Sequence, residues 1–130
     1  KMNKLDKESV IGISALLVHA AKIDEIYSDH EKKLILEFIK SYLNKDNATE
    51  ILKIAEDLEK NSNQLLTYTN SIKKNSIDIK KDIIEHLWKV IISDNSVDQY
   101  ESNLMRRVCG LIYFPDKESA EIKLKLLSSK

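Results

Sequence analysis

Two short acidic segments hold the residues of this chain best suited to chemistry: Asp24-Glu-Ile-Tyr-Ser-Asp-His-Glu31 and Asp94-Asn-Ser-Val-Asp-Gln-Tyr-Glu101. Their first aspartates and their glutamates are each separated by 70 residues (94 − 24 and 101 − 31), so the segments align without a gap. Hard divalent cations take carboxylate and carbonyl oxygen. Asp24 with Glu31, and Asp94 with Asp98 and Glu101, are therefore candidate metal ligands for calcium or magnesium. The same residues also have a purely structural use. A carboxylate at the end of one helix can accept from the free N–H groups that start the next, and Ser28/Glu31 and Asp98/Glu101 have capping-box spacing. The second segment places Asp94, Ser96 and Asp98 at the first, third and fifth positions of an EF-hand loop. Gln99 then stands where that loop needs glycine and Met105 where it needs glutamate, so it is not a standard EF-hand.

The elements that must position these loops are helices. Two glycines and one proline in 130 residues, with almost no period-two alternation, point to an all-α chain. Ile83, Ile84, Leu87, Trp88, Ile91 and Ile92 recur at helical spacing, as do Leu34, Ile35, Phe38, Ile39, Tyr42 and Leu43. Breaks and caps predict helices at 7–22, 29–43, 48–59, 63–74, 77–93, 99–113 and 116–127, with Pro115 ending one helix and starting the next. At the 70-residue offset Leu17 falls on Leu87, Ala20 on Val90, Ile35 on Met105, Phe38 on Val108 and Ile39 on Cys109. The expected architecture is thus a compact bundle of about seven helices containing two pseudo-repeated helix-loop-helix hairpins. Leu17, Ala20, Leu34, Phe38, Ile84, Leu87, Trp88, Ile91, Leu104, Val108 and Ile112 are its predicted core.

Bulk properties narrow the function. The length suits one domain over residues 1–130, and 21 basic against 21 acidic residues leave no net charge to mark a nucleic-acid binder. No apolar run approaches the roughly 20 residues of a membrane span, and no signal peptide is evident. The single cysteine, Cys109, lies on an apolar stripe and reads as a buried thiol, which favours a cytoplasmic location. Gly12 and Gly110 fall inside predicted helices, where close helix approach is the expected reason for each. His19, His30 and His86 share no metal-ligand spacing, no Gly-x-Ser-x-Gly turn exists, and no nucleophile, base or cofactor loop is visible, so no catalytic residue is assigned. Arg106 and Arg107 are the only arginines; an ion pair with Glu101 or Asp98 is the ordinary expectation, and a phosphate or partner carboxylate the alternative.

The two loops resemble those of the tellurite-resistance TerB-like proteins, whose hairpin loops read approximately Ala-Asp-Gly-x-hydrophobic-x-x-x-Glu. Ala21 to Glu31 and Ile92 to Glu101 look like such loops, and the stretch from Leu87-Trp88-Lys89-Val90 through Arg106-Arg107-Val108 is the closer match. The glycine of that pattern is Glu25 in one loop and Asn95 in the other, which makes the first loop the less regular. The resemblance covers about Val10 to Leu127 and implies a compact all-helical cytoplasmic protein, linked in some members to stress or metal-ion response, with acidic residues proposed to bind metal. Two functions follow as expectations. One is a non-enzymatic protein with divalent metal at Asp24, Glu31, Asp94, Asp98 and Glu101. The other is a protein-protein interaction module whose acidic residues only cap helices.

Overall fold

The computed structural model describes residues 5–22, 27–43, 45–61, 69–70, 72–92 and 99–128. The described elements are helical throughout: α1 (Lys7–Ala21), α2 (Asp29–Tyr42), a 3-10 turn (Lys45–Asn47), α3 (Ala48–Asn61), α4 (Ile77–Ile92), α5 (Gln99–Ile112) and α6 (Asp116–Ser128). The helix expected at 63–74 lies mostly outside the described residues, and its described end, 72–75, is a turn that buries Ile72.

Local chemistry sets the ends of these helices. Asp6 caps α1 by accepting from Ser9 N at 2.8 Å, and hydrogen bonding to the Ser9 side chain, then to its backbone, holds the carboxyl below the usual carboxylate value. Ser76 does the same for α4, accepting from Ile79 N at 3.3 Å. α5 closes through a Schellman turn, in which Phe114 N donates to Cys109 O at 2.9 Å while Tyr113 takes the left-handed conformation (φ 61°). Glycine is the usual residue at that position, because a Cβ there costs about 1–2 kcal/mol. Tyr113 instead keeps its ring in solvent, with the ammonium of Lys80, whose stem is buried, 5.9 Å from the ring centre. Pro115 O then accepts the first bond of α6, from Ser119 N.

Two helices act as hubs. α1 packs on α2, α3 and α4, and α4 packs in turn on α1, α2, α5 and α6. α1 is buried almost all round, at Val10, Gly12, Ile13, Ser14, Ala15, Leu16, Leu17, Val18, Ala20 and Ala21, which is the pattern of a central rather than a surface helix. Helices α2 to α5 each turn one stripe inward. The predicted core residues are buried except Leu34, which is half-buried and packs against the core from its edge. Position 34 sits at the flank of the α2 stripe, whose centre is Ile35, Phe38 and Ile39.

Gly110 departs from expectation. It is exposed, its φ is not positive, and a Cβ built there would meet nothing within 4 Å, so close helix approach does not explain it. Gly110→Ala should raise stability by about 0.5–1 kcal/mol, the helix-interior difference between the two residues, read as a higher denaturant midpoint at unchanged slope. Leu87, wholly buried on α4, supplies the opposite case: Leu87→Ala should lower unfolding free energy by about 2–5 kcal/mol. An unchanged midpoint for Leu87→Ala would remove that residue from the core.

Candidate functional site

The first acidic segment is built where α1 ends, α2 begins and α3 passes alongside. Ser28 is the N-cap of α2 and forms a complete capping box with Glu31: Glu31 N donates to Ser28 Oγ at 3.2 Å, and Ser28 N donates to Glu31 Oε1 at 2.8 Å. The Ser28 hydroxyl lies 3.2 Å from the same Oε1, and Glu31 is only 4% exposed. One carboxylate oxygen of Glu31 is thus committed to the helix start. Asp24, Asp94 and Asp98 lie outside the described residues. Glu101 falls in the first turn of α5, but its side chain is likewise outside them.

Further groups, none of them assigned a role from the sequence, complete the first site. Tyr27 donates from its hydroxyl to Glu56 Oε2 at 2.7 Å, and Lys32 places its ammonium 5.1 Å from the centre of the Tyr27 ring. One turn along α3, Glu59 receives Lys22 Nζ at 2.9 Å and His19 Nδ1 at 3.3 Å, tying the end of α1 to α3. Burial, and then the bond to Glu56, push the Tyr27 phenol well above the usual tyrosine range, so it stays a neutral donor. Glu56 and Glu59 follow the inward stripe of α3 (Ile51, Leu52, Ala55) without belonging to it, and nothing in their spacing announces which helix end they meet.

A second polar tie joins α2 to α4. Tyr42 donates to Asp82 Oδ2, and His86 Nδ1 lies 2.8 Å from the backbone carbonyl of Asp82; since a carbonyl only accepts, that nitrogen carries the proton. The imidazole stands edge-on to Phe38 with ring centres 5.1 Å apart. His86 is therefore a packed histidine at the core edge, and His30 is exposed. Cys109 is buried, as its position on an apolar stripe implied, and burial raises its thiol pKa.

Among the described residues no three His, Cys, Asp or Glu side chains converge as a metal-holding group. Around the first loop, Glu31 and the α3 residues Glu56 and Glu59 fit a metal poorly on their own chemistry, since each already accepts from protein donors. Among the same residues neither Arg106 nor Arg107 makes an ion pair, and both are exposed.

An all-helical bundle, with no described helix long and apolar enough to cross a membrane, is the class this geometry defines. The family model for Tellurite resistance protein TerB matches residues 11–124, and the chain belongs to that family. No curated protein and no solved structure matches it.

Tyr27 and Tyr42 give a pH test of the two ties. Both phenols lie above the ordinary value of 10.0 in the folded chain, for the same reasons of burial and a carboxylate acceptor. An unfolded phenol loses its proton near pH 10 while the folded one keeps it, so the native state binds more protons and stability falls as pH rises beyond about 10. Tyr27→Phe and Tyr42→Phe should each flatten that alkaline decline in denaturant unfolding and cost about 1–2 kcal/mol near neutrality. An alkaline slope identical to the parent's in both variants would show that neither phenol is held as described.

Proposed function

We propose that this TerB-family chain is a non-enzymatic, cytoplasmic binding domain built on two repeated hairpins. In this reading the first acidic loop is a structural clasp and the second, through Asp94, Asp98 and Glu101, takes up calcium or magnesium. The observation that carries the division is the commitment of Glu31: its carboxylate is buried in a capping box, and its acidic neighbours on α3 are occupied by Tyr27, His19 and Lys22. The second segment is richer in oxygen, offering Ser96 and Asp98 where the first has Ile26 and Ser28. Support for the repeat comes from the helix limits: α4 and α5 begin 70 residues after α1 and α2 (77 − 7 and 99 − 29), and α5 ends 70 after α2 (112 − 42). A stress or metal-ion response role follows through ion binding, not through chemistry on tellurite.

The second reading is a protein-interaction module in which all the acids are structural. It is favoured by α6, whose Leu124 and Leu127 are exposed beside a cleft of about 480 Å³ rimmed by Lys81, Glu85, Glu121 and Lys125.

Melting in the presence and absence of metal separates the two. A ligand that binds only the native state raises the melting temperature, and does so further as its concentration rises above its dissociation constant. Millimolar calcium or magnesium should stabilise the parent, and Asp94→Asn should abolish that gain while barely changing the metal-free protein. If the role is capping alone, Asp94→Asn should cost about 0.5–2 kcal/mol equally with and without metal, and the interaction reading takes its place.

A further inference from the structure

We infer that the cavity between α4, α5 and α6 is a binding site for a small oxyanion of the phosphate class. Its volume is about 320 Å³. Trp88 of α4 contributes to its wall, Ser102 and Arg106 come from α5, and Asp116, Ser119 and Lys123 from α6. The spacings 102/106 and 116/119/123 put these side chains on one face of each helix, so two rigid elements converge on one space.

The charges in that space are unbalanced toward cation. Arg106 has no carboxylate partner among the described residues. Lys123 has none either; its ammonium stands 5.3 Å from the centre of the Trp88 ring, held by a π face rather than by an acid. Among the described residues Asp116 is the one acid lining the cavity, and it forms no ion pair with either cation. It lies in the first turn of α6, where a carboxylate is favoured by the helix dipole. Ser119 is already used, because its hydroxyl accepts from Trp88 Nε1 at 2.9 Å and fixes the indole as a wall. The donors left for a ligand are the guanidinium fork, the ammonium and the Ser102 hydroxyl. A carboxylate has two oxygens and would satisfy the fork alone. A phosphate has a further oxygen for Lys123, and its larger charge strengthens the attraction of both cations against the repulsion from Asp116. The proposal does not depend on the metal reading.

Trp88 is the only tryptophan of the chain, so its emission reports on this cavity directly. Titration with inorganic phosphate, and separately with phosphoserine, at ionic strength held constant with chloride should give a saturable emission change; calorimetry alongside covers an indole that stays silent. Arg106→Gln should weaken binding by about tenfold or more, the scale of one lost charge-assisted hydrogen bond. Asp116→Asn should tighten it, and Arg107→Gln, a neighbouring exposed arginine outside the cavity, should leave it unchanged. Tighter binding of phosphoserine identifies a phosphate carried on another molecule, and tighter binding of inorganic phosphate identifies the free ion. The proposal is overturned if neither ligand saturates by either method, if Arg106→Gln and Arg107→Gln titrate alike, or if Asp116→Asn weakens binding.

Discussion

Between Val10 and Ala21 the chain carries no Asp, Glu, Lys or Arg, and the need to bury that stretch on every side governs the rest of the bundle. A helix with one apolar stripe can rest on a single neighbour. A helix apolar all round needs neighbours on every side, and α1 finds them in α2, α3 and α4. Small buried residues are frequent on both α1 (Gly12, Ser14, Ala15, Ala20 and Ala21) and α3 (Ala48 and Ala55), and small side chains shorten the distance at which helix backbones can pack. The arrangement has a cost inside it. Ser14 Oγ is buried with no hydrogen-bond partner among the described residues, a desolvation of about 1–3 kcal/mol that the surrounding apolar burial offsets.

Apolar burial is non-directional and leaves helices free to slide, so the polar contacts at the core boundary have a different task. Each joins a different pair of helices. Glu59 ties α3 to the end of α1, Asp82 ties α4 to Tyr42 of α2, and Ser119 ties α6 to Trp88 of α4. Tyr27, just ahead of α2, is tied to α3 through Glu56. A bond of this kind contributes only about 1–3 kcal/mol, yet it is satisfied at one register and broken at its neighbours. That explains why glutamates near an acidic loop serve the fold: a carboxylate half removed from water requires donors, and the protein supplies them from Tyr27, Lys22 and His19.

The turn after α5 shows the same economy in the backbone. The Schellman bond and Pro115 end one helix and start the next within three residues, which folds α6 back onto α4. Folding back is what forms the open cavity beside Trp88, and it does so by an incomplete docking. Ile122 and Leu126 of α6 are half-buried while Leu124 and Leu127 remain in solvent.

By itself the sequence determined the described helices and their inward faces. Caps such as Ser28, Ser76 and Pro115 act through bonds three or four residues long, and the 3.6-residue period of Ile83 to Ile92 is a local property, so α2, α4 and α5 begin at the expected residues 29, 77 and 99. The 3-10 turn at 45–47 was illegible because three residues carry no period, and Gly110 misled because a glycine in a helix has the same letter whether it faces a neighbour or open solvent. The candidate site was legible only in part. Glu31 was identified with its capping partner, since both lie within one turn, whereas Glu56 and Glu59 meet Tyr27, Lys22 and His19 across 29 to 40 residues of chain. Only the tertiary structure decided those meetings, and likewise the convergence of Arg106, Asp116 and Lys123, because a stripe of apolar residues states which face of a helix is buried but not which helix will cover it.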